Sequence, residues 1–206
     1  MIMEDEETQS LWSHITGEAL EGKLKGRRLA MLPAVQTTWA LWFEEHPDTK
    51  VLVKQKEIRS SRYESYFADP DRTGIFRSTW LRDRMPGKSI VLGLNDGPHA
   101  LAVTEKKMND AGVVNTTVGE KPVVVALLGD GGVHAYLSNA KNRILHFARL
   151  DKGREMQDRE TNSIWDPGTG QCIKGELEGI FLEEIIVWRA YWFAWSGFYP
   201  NTIVVD

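Results

Sequence analysis

One cysteine, Cys172, stands among 206 residues, which excludes an internal disulfide and a multi-thiolate metal site. Net charge is also scarce: a formal value of −4 and a pI near 5.8 give no electrostatic footprint for nucleic acid or an anionic membrane surface. The chain shows no basic start followed by an apolar stretch; its opening, Met1-Ile2-Met3-Glu4-Asp5-Glu6-Glu7, is acidic and does not read as a signal peptide. No long apolar run is free of charge. The longest, residues 180–199, contains Glu183, Glu184 and Arg189, which a membrane span tolerates poorly, so no transmembrane segment is expected. As written, the chain reads as soluble and cytoplasmic, with an extracytoplasmic place open if the native N-terminus is missing.

What is present is a repeat. Met3-Glu4-Asp5-Glu6-Glu7-Thr8-Gln9-Ser10-Leu11-Trp12 aligns without a gap with Met156-Gln157-Asp158-Arg159-Glu160-Thr161-Asn162-Ser163-Ile164-Trp165, at an offset of 153 (156 minus 3). The register holds through Gly17 and Gly170, Gly22 and Gly175, Leu24 and Leu177, Gly26 and Gly179, and Leu29 and Leu182. It continues through Trp39 and Trp192, Trp42 and Trp195, Pro47 and Pro200, and Thr49 and Thr202. The matches are concentrated in Trp, Gly, Pro and acidic residues, and chance does not hold one register for some fifty residues. Two copies are too few for a solenoid, so the expectation is a tandem duplication.

The patterning predicts an α+β, mostly β fold: short strands, with one short Trp-rich helix per repeated unit. Glycine turns punctuate residues 168–179, the apolar run 181–188 reads as a buried strand, and 189–198 carry Trp192 and Trp195 on one helical face, stopped by Pro200. Residues 37–45, with Trp39, Trp42 and Phe43, play the same part before Pro47. Between the copies, residues 89–94, 99–103, 113–118, 122–128, 133–137 and 143–147 are β-rich runs, with one or two helical turns at 105–111. Asn95-Asp96-Gly97 and Gly129-Asp130-Gly131-Gly132 mark turns. The latter lacks a following Lys-Ser/Thr, so a hairpin is a better reading than a phosphate loop. Residues 54–87 read as a polar linker carrying Lys54, Lys56, Arg59 and Arg62, with Tyr63, Tyr66, Phe67, Phe76 and Trp80 pinning it to a neighbouring surface. The expected organisation is therefore the C-terminal half of a first unit at 1–53, the linker, and a complete second unit at 88–206. A shortened reading frame or a natural half-unit that packs onto the complete one would each account for the asymmetry.

At these residues the chain resembles domain of unknown function 3179, a set of bacterial and archaeal proteins. The resemblance is carried by Asp-x-Glu-Thr-x-Ser-x-Trp, present at Asp5 to Trp12 and at Asp158 to Trp165, by Ile15-Thr16-Gly17-Glu18-Ala19-Leu20-Glu21-Gly22, by Leu32-Pro33-x-Val35-x-Thr37-Thr38-Trp39, and by His46-Pro47-Asp48-Thr49. It extends into Val91-Leu92-Gly93-Leu94, Gly112-Val113-Val114-Asn115, Thr117-Val118-Gly119 and Pro122-Val123-Val124-Val125, and into the linker at Arg84-Met85-Pro86-Gly87-Lys88. What it implies about chemistry centres on a Cys-Pro-Leu-Cys-Gly motif preceded by a His-Glu pair, whose thiolates would bind metal or cycle as a dithiol. Here the corresponding stretch is Leu127-Leu128-Gly129-Asp130-Gly131-Gly132, the His-Glu position is Ala111-Gly112, and Asn115 is followed by Thr116. Thiol chemistry of that kind cannot be carried over to this chain.

Each remaining candidate has two readings. Asp5/Glu7 and Asp158/Glu160 are either catalytic carboxylates or turn caps that accept backbone N–H bonds. His14 and Glu18 would share a metal only on a helix, which Thr16-Gly17 opposes; no metal or cofactor is expected. His46, His99, His134 and His146 have no ligand spacing. The paired tryptophans suit core packing, with Trp12 and Trp165 kept as binding candidates beside His14, Glu18 and Asp158. Cys172 aligns with Ala19 and reads as an inert small side chain. Three functions stay open: a non-catalytic structural or binding module, a metal- or thiol-dependent redox protein whose Cys-x-x-Cys site lies in a missing N-terminal half, and a carbohydrate or peptide binder using exposed tryptophan. Exposed apolar surface around Trp12 and Trp39 is expected in residues 1–53, with docking or self-association through that incomplete unit.

Overall fold

Pro122-Val123-Val124-Val125-Ala126-Leu127 has no polar residue, so a strand built from it must be covered on both faces. It is. The computed structural model of the chain describes residues 2–53, 63–74, 84–129, 131–150 and 155–206. The expected linker residues Lys54, Lys56, Arg59, Arg62, Phe76 and Trp80, and Asp130 of the glycine-rich turn, lie outside them. The chain divides into two compact units, Met1–Pro33 and Ala34–Asp206.

In the first unit, β1 (Ile2–Glu4), β2 (Leu11–Ser13) and β3 (Ala19–Glu21) form an antiparallel sheet in that order. The second unit begins with two short helices, α1 (Trp39–Glu45) and α2 (Glu64–Ala68). It continues through β4 (Ile90–Asp96), β5 (His99–Thr104), α3 (Glu105–Ala111), β6 (Val113–Val118), β7 (Lys121–Leu127) and β8 (Val133–Leu137). Then follow β9 (Asn139–Ala140), β10 (Arg143–Ile144), β11 (Phe147–Leu150), β12 (Glu155–Asp158), β13 (Ile164–Trp165) and β14 (Cys172–Lys174). The chain ends with β15 (Glu184–Ile185), β16 (Trp188–Tyr191), α4 (Trp192–Phe198) and β17 (Ile203–Val205). The described chain is mostly β, with four short helices, as the patterning predicts.

Three four-stranded sheets stack in the second unit, ordered β16-β4-β5-β17, β15-β8-β7-β6 and β11-β12-β13-β14. Strand alternation assigns each side chain to a layer. Val123 and Val125 of β7 join Leu92, Leu94, Leu101 and Val103 in one core. Val124 and Ala126, one residue out of phase, face Phe147, Met156 and Trp165 in the next. On the outer side of β4 and β5, Val91, Ala100 and Ala102 receive Trp192 and Trp195 of α4. Both indoles are fully buried, which removes on the order of 150–250 Å² each from water. Gly93 is required there: a Cβ at that position would lie 2.4 Å from the Trp195 ring.

Local signals explain the boundaries. Thr104 caps α3 by accepting the Lys107 N–H at 3.2 Å, and Gly112 at φ +71° ends it. Strands β7 and β8 pair antiparallel, the expected hairpin, and Gly131 N–H donates to the Leu128 carbonyl at 3.1 Å between them. The Tyr66 ring and carbonyl both receive the Lys88 ammonium, whereas Tyr63 and Phe67 are exposed.

Two expectations are corrected. Residues 181–188 are not one buried strand: Glu184–Ile185 pairs with β8, Trp188–Tyr191 pairs with β4, and Phe181 is exposed. The run serves as an edge for two different sheets, so its apolar residues split between them. The expected helix at 189–198 begins only at Trp192, because the three residues before it are held in β16. Core packing holds for four of the six paired tryptophans, and the apolar exposure expected around Trp39 is present. Trp12, Trp165, Trp192 and Trp195 are buried, but Trp39 and Trp42 of α1 are 53% and 39% exposed.

Candidate functional site

Asp158 ends β12 and opens a tight turn, where a short side-chain acceptor can satisfy backbone donors that the strand no longer pairs. Its Oδ1 accepts the Thr161 N–H at 2.6 Å and the Thr161 hydroxyl at 2.9 Å. Its Oδ2 accepts the Trp165 indole N–H at 2.8 Å. Asp158 and Trp165 are buried, and Trp165 meets the Phe147 ring edge-on at 5.6 Å between centroids. The neighbouring Glu160 accepts the His146 N–H at 2.8 Å and faces its Nδ1 at 2.7 Å. Burial works to raise the Glu160 pKa, but these His146 bonds outweigh it and hold the carboxyl below its ordinary value.

The same bonds recur at the offset of 153. Asp5 accepts the Thr8 N–H at 2.6 Å, the Thr8 hydroxyl at 2.7 Å and the Trp12 indole N–H at 2.8 Å. The Trp12 bond, followed by the two from Thr8, lowers the Asp5 pKa to about 2. Strand registers repeat as well: Met3 faces Trp12 and Met156 faces Trp165, with a register shift between Leu11/Trp12 and between Ile164/Trp165. In both places the aspartate is an acceptor consumed by its own turn.

The other candidates are not gathered with these. His14 lies in the turn after β2, not on a helix, and Glu18 accepts from Arg28 at 2.7 Å. Among the described residues, no three side chains of His, Cys, Asp and Glu are placed to share a metal ion. His134 faces one carboxylate, Glu184, at 2.8 Å. Cys172 is buried opposite Trp165, its Sγ 3.6 Å from the Lys174 carbonyl oxygen, and burial pushes its thiol pKa up. A protonated, enclosed thiol is a packing group, not a nucleophile.

Sequence reasoning missed a cavity of about 470 Å³ in the second unit. Leu92, Met108 and Val133 give it apolar wall, and Glu105, Asn109, Arg149 and Arg189 give it polar wall. Arg189 is ion-paired with Glu105. Leu127, Leu128, Gly129 and Gly131, which stand where the resemblance places its two cysteines, also line it. Gly112, at the His-Glu position, is covered by Arg149; a Cβ there would lie 2.3 Å from Arg149 Cδ. That glycine was the available signal: an arginine occupies the room a side chain would take. The cavity offers cationic and apolar contacts, and its described walls hold no thiol or imidazole.

No helix among the described residues is long and apolar enough to cross a membrane. No curated protein and no solved structure matches the chain. The sequence model of the family described as "Protein of unknown function (DUF3179)" matches residues 1–202, and the chain belongs to that family.

Proposed function

We propose that this chain is a non-catalytic binding module. In this reading, residues 88–206 are a complete unit, residues 54–87 are a linker, and residues 1–53 are a second copy of that unit's C-terminal half. The observation that carries it is the state of Asp158, the most acidic-site-like residue of the repeated motif. It is sealed from solvent, and protein donors occupy both of its oxygens. A general base needs a free lone pair within reach of a substrate proton, and a nucleophile needs access to an electrophile. Asp158 has neither, and Asp5 spends its oxygens on the same set of bonds.

The cavity supports the same reading, since Arg149, Arg189, Glu105 and Asn109 supply contacts suited to holding a ligand. The recurrence of registers and bonds at the offset of 153 supports the copy reading. The test is a turnover panel of ester, phosphoester, glycoside and disulfide substrates with the full chain. The expected result is no rate above buffer. A rate abolished by Arg189→Ala, with the melting temperature unchanged, would replace the module by an enzyme working in that cavity.

A further inference from the structure

The cavity of about 470 Å³ has an apolar side and a cationic side, and the two have different origins. Leu92 of β4, Met108 of α3 and Val133 of β8 line it and also belong to the core that β7 shares with β4 and β5. The apolar side is therefore the outer face of a packed core and is fixed before any ligand arrives. On the other side, Arg149 lies across Gly112. A Cβ built there would stand 2.3 Å from Arg149 Cδ, 2.8 Å from Nη1 and 2.9 Å from Nε, and Nε is buried. The missing side chain at Gly112 thus makes the room in which this guanidinium lies. Arg189, half exposed on β16, is ion-paired with Glu105 at the start of α3.

Charge and hydrogen-bonding capacity select the ligand. The two guanidinium groups carry more N–H donors than the carboxylate of Glu105 can accept, so the wall is complementary to an acceptor-rich group. Among the described lining residues two arginines and one glutamate sum to one positive charge (2 minus 1), which one negative charge balances. A dianion would meet the Glu105 carboxylate with a charge to spare. We propose that this cavity binds a short aliphatic monocarboxylate, its head on Arg149 and Arg189 and its chain against Leu92, Met108 and Val133. The planar fork of arginine matches a carboxylate with two parallel N–H donors, and partial burial strengthens such bonds. The volume lies low in the range of small-molecule cavities, about 300–1,000 Å³, which suits a head group and a short chain. The proposal deepens the module reading and rests on it, since it names the ligand class of the same cavity.

Hexanoate is the probe, titrated at neutral pH into the full chain labelled at methionine methyls and arginine Nε. Saturable shifts at Met108, Arg149 and Arg189 are expected. Hexanol, a chain without the charge, and acetate, a head without the chain, should each bind at least about tenfold more weakly, and hexyl phosphate no more tightly than hexanoate. Arg149→Gln and Arg189→Gln should each weaken hexanoate about tenfold and leave hexanol unchanged, a split that a purely structural role for either arginine does not produce. Arg189 is exposed, so Arg189→Gln decides the matter if Arg149→Gln lowers the melting temperature. Four results overturn the proposal: no saturable shift with hexanoate on the order of tens of millimolar, hexanol binding as well as hexanoate, hexyl phosphate binding more tightly, or hexanoate binding unaffected by Arg189→Gln. Hexanoate binding that fails while the turnover panel stays silent removes this ligand class and leaves the module reading standing. A turnover inhibited by hexanoate sinks the module reading and keeps the site.

Discussion

Asp158 receives the indole N–H of Trp165 at 2.8 Å, and both side chains are sealed inside the second unit. The pair fastens β13 to the turn after β12. Asp158→Ala leaves a buried indole N–H and the Thr161 N–H without their acceptor. A loss of about 1–3 kcal/mol is expected for each buried donor left unpaired, read as a lower denaturation midpoint in urea at constant slope. Trp165→Phe takes the indole donor from the buried Asp158 Oδ2 and leaves a void beside Phe147, so a loss of about 1–3 kcal/mol is expected there too.

Asp5 makes the same bonds on an open surface, and its pKa sits at about 2. A depressed carboxylate stabilises the fold at pH values above its ordinary range, and that contribution is lost as pH falls through the folded value. Trp12 indole exchange and carboxyl carbon shifts should therefore stay constant from pH 7 to about 4 and change as pH approaches 2. Asp5→Asn should remove that transition. A midpoint near 4 would show that the Trp12 bond does not hold in solution.

Cys172 should resist thiol reagents in the folded chain and react at once in denaturant, because burial both raises its pKa and blocks approach. Cys172→Ala should cost only about 1 kcal/mol, since alanine is the aligned residue at Ala19, opposite Trp12. Rapid native-state labelling would contradict the packing role.

Gly93→Ala pushes a methyl into the Trp195 ring and should destabilise by about 1–3 kcal/mol. Displacement of Trp195 from the donor contact it makes to Thr202, 3.0 Å away, should shift tryptophan emission. A Gly93→Ala variant with unchanged melting and emission would mean that α4 does not pack on β4 as described.

How much of this was legible depends on whether the information was local. Strands β4 to β8 and helix α3 follow from alternating apolar runs broken by Gly97, Gly112 and the glycine-rich hairpin, all of which act within a few residues. The split of residues 181–188 between two sheets does not, because neither partner strand is near in sequence. Trp39 and Trp42 have the same spacing as Trp192 and Trp195, yet their exposure is decided by neighbours. Residues 91–102 cover α4, and α1 has exposed indoles. The motif around Asp158 and Trp165 was readable as turn chemistry because its bonds span at most seven residues. The cavity was not: Arg149 and Arg189 come from β11 and β16 and meet only through the fold.

Hydrogen exchange of the full chain, with no ligand added, tests most directly the claim that two like segments are covered differently. The amide of Glu4, which points away from β2, should exchange at least about tenfold faster than that of Gln157, which points to β11. Equal protection of the two amides would mean that β1 is covered as β12 is, and that claim would be wrong.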